Sequence, residues 1–415
     1  MKQVLYLSYD GMTDPLGQSQ VIPYLAGLTQ KGYHFHLISF EKKDAYLKEG
    51  AYIRELLEKT GITWHPLSYT KKPPVVATIY DLWRMKRLGR KLIRQHQISM
   101  VHCRSYISAM AGLSFQQELN IPFLFDMRGF WADERVDGKL WDLKNPVYKK
   151  VYHFFKAKER EFLSEASGVI SLTENARADI DSRKLRSHDQ LPVQVIPCCA
   201  DLNHFNPNNV NTEAQSAFRK QLKIDDGVFT IGYLGAIGTW YMLDEMLSFF
   251  SKVLKSKPNA VFIFITHEPA TTIMHAAAAF GLTEQNIRVV AAGRKDVPSL
   301  LSLLSVSLFF IRPSYSKKAS SPTKQGEIMG MGIPIICNRG IGDTDFVVNK
   351  YGSGLAIDPS DESEVSKLIA EMDQLAALPK AAIIKGAHDF YSLESGVDKY
   401  LTVYRKITGD DKALS

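Results

Sequence analysis

The sequence predicts an α/β protein of two doubly wound domains, residues 1–200 and 201–389, and three observations carry that expectation. At 415 residues the chain is too long for a single core and suits two domains of about 200 residues each. A rhythm of apolar strand, polar loop, amphipathic helix and second strand opens at Val4 and restarts at Phe229. Between the two runs, Pro207-Asn208-Asn209 marks a linker.

Val4–Tyr9 (VLYLSY) has the continuous apolar, β-branched and aromatic character of a buried parallel strand. Ser19–Lys31 follows as a helix with Val21, Ile22, Leu25 and Leu28 inward, closed by Gly32, and Tyr33–Phe40 is the next strand. Ligands of doubly wound sheets bind at the loops leaving the carboxyl ends of strands. That rule singles out Asp10–Gln18, with Gly17 and Gln18, and then Arg104-Ser105 after the strand Met100–His102. The strand Pro122–Asp126 runs into MRGFWADE, the densest chemistry of the first half. Arg128 is a fixed cation at a strand tip, Trp131 a flat face on which sugars stack, and Asp133 and Glu134 are acceptors for hydroxyls. A buried pair of Arg128 with Asp126 or Asp133 is the competing structural explanation. No G-x-G-x-x-G is present, which disfavours a dinucleotide, and His34 and His36 are expected to face solvent rather than a metal. Helices at Ala77–Gln97 and Pro146–Ala166 and strands at Val169–Leu172 and Val193–Pro197 complete the half.

The second half starts with Phe229–Leu234, followed by GAIGTWY. Gly235 and Gly238 let backbone amides approach a diphosphate, and Thr239 adds a hydroxyl. A helix at Leu243–Leu254 and strands at Ala260–Ile265, Arg288–Ala292 and Ser307–Ile311 follow, the last running into Arg312. Then comes SSPTKQGEIMGMGIPII, residues 320–336. Pro322 opens a helix running from about Lys324 to Met331 and ending at Gly332. Its N-terminus, with Thr323 and Lys324, favours an anion, while Glu327 one turn on can accept hydrogen bonds from a sugar diol. Phosphate and ribose together make a nucleotide; a surface Lys–Glu pair at a βαβ corner is the plainer alternative.

Composition narrows the class. With 45% hydrophobic and 23% charged residues the chain has the make-up of a soluble globular protein. Four cysteines, without C-x-x-C or Cys/His ligand spacing, point to a reduced cytoplasmic compartment, and the N-terminus lacks the apolar core of a signal peptide. Residues 1–200 hold 29 Lys and Arg against 21 Asp and Glu, a net +8, whereas the remainder is −1. A basic first half suits an anionic partner, phosphate or lipid headgroups, and no nucleic-acid-binding pattern accompanies it. The helix Ala77–Gln97 interleaves six Lys and Arg with Leu82, Trp83, Met85 and Leu88, which suits either a solvated helix or peripheral contact with the inner face of an anionic membrane.

The stretch 320–336, with Pro-Thr-Lys, Glu327, Gly332 and Pro334, resembles the donor motif of glycosyltransferase family 4. Asp126-Met-Arg128-Gly129 resembles a loop of one branch of that family, with Arg128 where other branches carry an active-site His. Ile196, Pro197, Ala200, Asp201 and Phe205 resemble its interdomain hinge, with Cys198-Cys199 in place of Asn-Gly, and Gly293-Arg294 resembles its base-binding loop. The resemblance implies the GT-B architecture: two Rossmann-like domains facing across a cleft, the last helix, about 390–415, packing back on the first. It implies retaining, metal-independent transfer from a nucleoside-diphosphate sugar, UDP- or GDP-linked, to a saccharide or lipid-linked acceptor in polysaccharide or cell-envelope biosynthesis. Carried over, Gly235, Ala236, Gly238, Thr239, Gly293, Arg294, Arg312, Pro322, Thr323, Lys324 and Glu327 would bind the donor. Gly17, Gln18, Arg104, Ser105, Trp131 and Asp133 would bind the acceptor, and Arg128 and Lys324 would act in catalysis. No metal or other cofactor is implied. Ala319, Ala236 and Tyr241 stand where the family commonly has Glu, Arg and Lys. A nucleotide-sugar epimerase of this architecture and a non-catalytic donor-binding subunit are the alternatives.

Overall fold

The computed structural model describes residues 1–187 and 190–409, and the chain divides into two compact units. One comprises Met1–Pro197 with the chain from Leu393 on; the other is Cys198–Ser392. Each is built on one parallel sheet with helical crossovers.

The first sheet contains β1 (Lys2–Ser8), β2 (Tyr33–Glu41), β3 (Ile62–Ser68), β4 (Met100–Arg104), β5 (Phe123–Asp126), β6 (Gly168–Ser171) and β7 (Gln194–Val195), in the order β3-β2-β1-β4-β5-β6-β7. Tyr6 of β1 pairs with Leu37 on one side and His102 on the other. The order reverses between β1 and β4, so the loops after these strands border the switch point where such sheets bind ligands. Arg104 ends β4, and Ser105 begins the next helix with φ 66. The last helix, Leu393–Thr408, belongs to this unit: Tyr400 donates to Asp126 at 2.9 Å, and the Tyr404 hydroxyl lies 2.6 Å from His102 Nδ1.

Local chemistry moved several boundaries. The helix expected at 19–31 is two, Pro15–Gln20 and Ile22–Thr29, because Pro23 has no N–H to continue the first. The helix Lys43–Lys59 and strand β3 carried too little periodic signal to be read from sequence. β3 is an edge strand, where Pro66 and alternating polar residues are tolerated. His36 is also corrected. It is 3% exposed, its ring 4.1 Å from that of His96 and 5.5 Å from that of His65, so it packs beneath the basic helix Pro74–His96 rather than facing solvent.

The second sheet contains β8 (Thr230–Leu234), β9 (Val261–Ile265), β10 (Ile287–Val290), β11 (Val306–Phe309), β12 (Ile335–Asn338) and β13 (Gly354–Ile357), in the order β10-β9-β8-β11-β12-β13. All five residues of β8 and of β9 are buried, as expected of a sheet covered on both faces. Its switch point lies between β8 and β11, which places the glycine loop after β8 next to the chain leaving β11.

Candidate active site

The helix Thr323–Gly330 is the centre of the second unit's site, and its sequence explains its placement. Pro322 caps it with extended backbone, no side chain caps its first amides, and no acidic residue stands in its first turn. At the other end Gly332 takes φ 69; its N–H meets the Met329 carbonyl and that of Ile333 the Ile328 carbonyl, the paired bonds of a Schellman stop. Gly326 and Gly330 share one face. A Cβ at Gly326 would lie 2.8 Å from Cβ of Tyr391, and one at Gly330 would lie 2.7 Å from the Phe205 carbonyl. The small residues of the motif thus let the helix lie against the segment 198–205, itself held by the Cys198 N–H donating to the Ser321 hydroxyl at 3.1 Å and the Ala200 N–H to the Tyr391 carbonyl at 2.8 Å.

Lys324 points its ammonium beneath the glycine loop. Nζ is 3.8 Å from the ring centre of Tyr241, 4.0 Å from that of Tyr233 and 3.4 Å from where a Cβ on Gly235 would be. It has no hydrogen-bond partner among the described residues. Burial drives its pKa well below the ordinary lysine value, with the Glu327 charge opposing only in part. Glu327, 3.5 Å from Arg294, is pushed by burial up to about 7 against the charges of Arg294 and Lys324. Arg294 lies over the Phe205 ring, and its carbonyl meets His204 Nε2 at 2.9 Å. Gly235 (φ 104) donates its N–H to Ile265, and Gly238 adopts φ 51, so the loop turns where only glycine does so without strain. Ala236 and Thr239 are exposed at its tip, and Gly293 is exposed next to Arg294. Exposed Arg312 donates its N–H to the Trp240 carbonyl at 2.8 Å. The structure therefore gathers Gly235, Lys324, Glu327 and Arg294 closely and brings the Arg312 backbone to the same loop.

On the first unit, Arg128 holds φ 58 and Gly129 φ 132 at the end of β5, a strained turn of the kind found at functional sites. The Arg128 guanidinium is buried 3.9 Å from Asp126, which also takes the Tyr400 hydroxyl and lies 3.4 Å from His102. Against burial, which raises it, the Arg128 charge, the His102 hydrogen bond and the Arg104 charge hold the Asp126 carboxyl down at about 2. Burial keeps His102 below its ordinary value despite that carboxylate. Arg104, 5% exposed, reaches Asp10 at 3.4 Å. Gly17 is buried where a Cβ would strike the Gly11 carbonyl at 2.3 Å, and Gln18 donates to the Thr13 carbonyl. Trp131 packs among Phe155, Trp141 and Tyr106 with Arg135 over its ring, and Asp133 is engaged by Lys156 at 2.7 Å and Tyr152 at 2.8 Å. These two are bound up in the unit's own packing, whereas Gln18 keeps an accessible side. Among the described residues, no group of three or more His, Cys, Asp or Glu could hold a metal ion.

Family models match both units: residues 17–204 fit Glycosyltransferase Family 4, and residues 214–388 fit Glycosyl transferases group 1. The chain belongs to glycosyltransferase family 4. No curated protein matches it. Among solved structures, sucrose-phosphate synthase from Thermosynechococcus elongatus is 14% identical with a TM-score of 0.74, covering 99% of this chain and 100% of that one. Anabaena HepE in complex with UDP and glucose is 12% identical with a TM-score of 0.68, covering 97% and 99%. WaaG, a glycosyltransferase involved in lipopolysaccharide biosynthesis, is 14% identical with a TM-score of 0.64, covering 96% and 99%. The fold is GT-B, and the protein is a glycosyltransferase.

Three contributors to this family 4 site escaped the sequence. Glu41, at the end of β2, accepts from the amides of Met12 and Thr13 and the hydroxyls of Thr13 and Ser39, fixing the loop after β1. Asn338 clasps both backbone groups of Ile311, at 2.7 and 2.8 Å, steadying the chain into Arg312. Lys317 is buried with Nζ 3.6 Å above the Trp240 ring. A polar residue closing an apolar strand was the available signal for the first two; nothing local distinguishes Lys317 from Lys318.

Proposed function

We propose that the protein is a retaining glycosyltransferase whose second unit binds a nucleoside-diphosphate sugar and whose first unit presents a saccharide or lipid-linked acceptor. The observation that carries this is the convergence, at the switch point of the second sheet, of the Gly235–Thr239 loop, an uncapped helix N-terminus, Lys324 and half-buried Glu327. Departure of the nucleoside diphosphate leaves charge on the β-phosphate while the sugar becomes oxocarbenium-like, and preorganised amides and a cation lower that barrier, each donor typically by about 3 kcal/mol. Glu327 takes the ribose diol, Arg294 and Gly293 border the base, and Arg128 is the first unit's candidate catalytic cation. The set needs no metal for charge compensation. The UDP and glucose of HepE favour a UDP-hexose among the candidate donors.

Synthesis of an envelope or other polysaccharide at the cytoplasmic face of a membrane is the setting that suits the basic first unit. Among the described residues no helix is long and apolar enough to cross a membrane. The helix Pro74–His96 instead exposes Val75, Ile79, Tyr80 and Trp83 ahead of Arg87, Lys91 and Arg94, an arrangement for peripheral contact with anionic lipid.

The test is a thermal-shift panel of UDP-, GDP-, ADP- and dTDP-glucose, with and without EDTA, on wild type and Lys324→Ala. A ligand at 100 times its Kd adds about 2.7 kcal/mol of stability. One base should raise the melting point, insensitive to EDTA, and the shift should be lost in the variant. No shift with any nucleotide would remove the donor-site assignment.

A further inference from the structure

Two consecutive aromatic residues of the glycine loop each cover a buried lysine supplied by the chain after β11. Trp240 lies 3.6 Å from Nζ of Lys317 and Tyr241 3.8 Å from Nζ of Lys324. Tyr233 closes the second box from the other side, its own hydroxyl tied to the Ala236 carbonyl at 2.7 Å. Tyr241 is not free to wander: it bridges Ile311, and the residues on either side exchange backbone hydrogen bonds with Phe310 and Arg312. Lys324 is thus a desolvated amine between two rings, with Glu327 the only opposite charge acting on it among the described residues.

Resting on the donor-site assignment above, we propose that Tyr241 is a positioning residue for the donor phosphates: with Tyr233 it holds Lys324 under the glycine loop without an anion of its own, and the diphosphate is the counter-charge the box lacks. Position 241 thus carries a ring instead of a cation, and that ring fixes where the Lys324 ammonium is delivered. Ring faces attract an ammonium but replace little of its hydration, so the aromatic box disfavours the charged form, as the lowered pKa of Lys324 reflects. Arrival of a diphosphate reverses that balance, and the amine takes a proton from solvent as the donor binds. Groups facing the box are Glu327 on the same helix, Tyr233 from β8 and Tyr241 from the loop, with Glu268 and Cys198 acting on those two tyrosines.

The experiment is calorimetric titration of the full chain with the four nucleoside-diphosphate sugars of the panel, in buffers of different ionisation enthalpy, between about pH 7 and 8.5. Wild type should bind with net proton uptake, and Lys324→Met should bind weakly with none. Tyr241→Phe, which keeps the ring, should retain the uptake. Tyr241→Ala opens the box to water and should abolish the uptake while weakening binding about tenfold. Tyr241→Lys placed in the Lys324→Met background should recover part of the lost affinity. Donor binding by wild type without proton uptake, or a Tyr241→Ala protein whose affinity and uptake match wild type, overturns the positioning role and leaves the donor site standing. A folded wild type that binds none of the four sugars overturns both.

Discussion

Lys324 and Glu327 stand one turn apart, and the same burial pushes them in opposite directions, the amine down and the carboxyl up, each towards its neutral form. That arrangement costs stability near neutral pH, because each group is buried against its charged form. The consequence for pH follows from the sign of the Glu327 shift. Its folded pKa, about 7, exceeds the ordinary 4.5, so its contribution to stability is full below pH 4.5 and is lost as pH rises through 7. Glu327→Gln should therefore melt progressively higher relative to wild type as pH rises across that window, yet bind the donor less well. Equal pH profiles for the two proteins would show that the carboxyl is not buried as described. His36 behaves in the opposite sense. Burial, aided by His96, His34 and His65, lowers it from 6.5 to about 4, so stability is full above 6.5 and is lost as pH falls towards 4. Lys91 acts on the adjoining His65, adding to the positive surroundings. Thermal melts of His36→Phe should be flatter than wild type between these two values.

At the scale of elements, the helix Thr323–Gly330 was legible in sequence to within a residue because its start and stop signals are chemical: Pro322 before it and Gly332 after it. Buried strands such as β8 and β9 were legible for a similar reason, since parallel strands covered on both faces leave unbroken apolar runs. The edge strands β3 and β13 were not, although the edge strands β7 and β10 were. β3 contains Pro66 and alternates polar residues, and β13 is four residues long with Gly354 held where a Cβ would overlap the Ile335 carbonyl. The site was legible as a list of residue types, whereas the aromatic box around Lys324 was not, because it joins residues of β8, the following loop and the helix after β11. Sequence spacing carries no information on such a meeting. The glycines of the motif helix yield a test of packing apart from ligand binding. Gly326→Ala and Gly330→Ala should each cost about 1–3 kcal/mol, because neither the Tyr391 side chain nor the Phe205 carbonyl can withdraw without moving its backbone. Denaturant midpoints at an unchanged m-value would measure it, and wild-type midpoints would mean that the close contacts relax freely.

At the scale of the whole molecule, charge is divided between the halves, with net +8 in residues 1–200 and −1 in the rest. Part of the positive charge is consumed internally: Arg90 is held by Glu118 at 2.8 and 2.9 Å, and Lys156 by Asp133 and Glu159. What remains outward on the helix Pro74–His96 is Arg87, Lys91 and Arg94, with Trp83 half-exposed beside them and Arg87 over its ring at 5.6 Å. A helix with only a solvated role has no need of Val76, Ile79 and Trp83, each more than half exposed, on the same stretch as its cations. Cations near an anionic bilayer contribute about 1 kcal/mol apiece, so reversing charge at these three positions (Arg87→Glu, Lys91→Glu, Arg94→Glu) should lower partitioning by about a hundredfold or more. Co-sedimentation with phosphatidylserine-containing vesicles measures this, and wild-type binding should weaken at high salt, as an interfacial attraction screened over a Debye length must. Trp83→Ala should weaken the salt-resistant remainder, because it removes apolar contact rather than charge. Retention of vesicle binding by both variants would place the membrane contact elsewhere on the molecule, and absence of binding by wild type would restrict the helix to solvent and make the basic half a recognition surface for a soluble anionic acceptor.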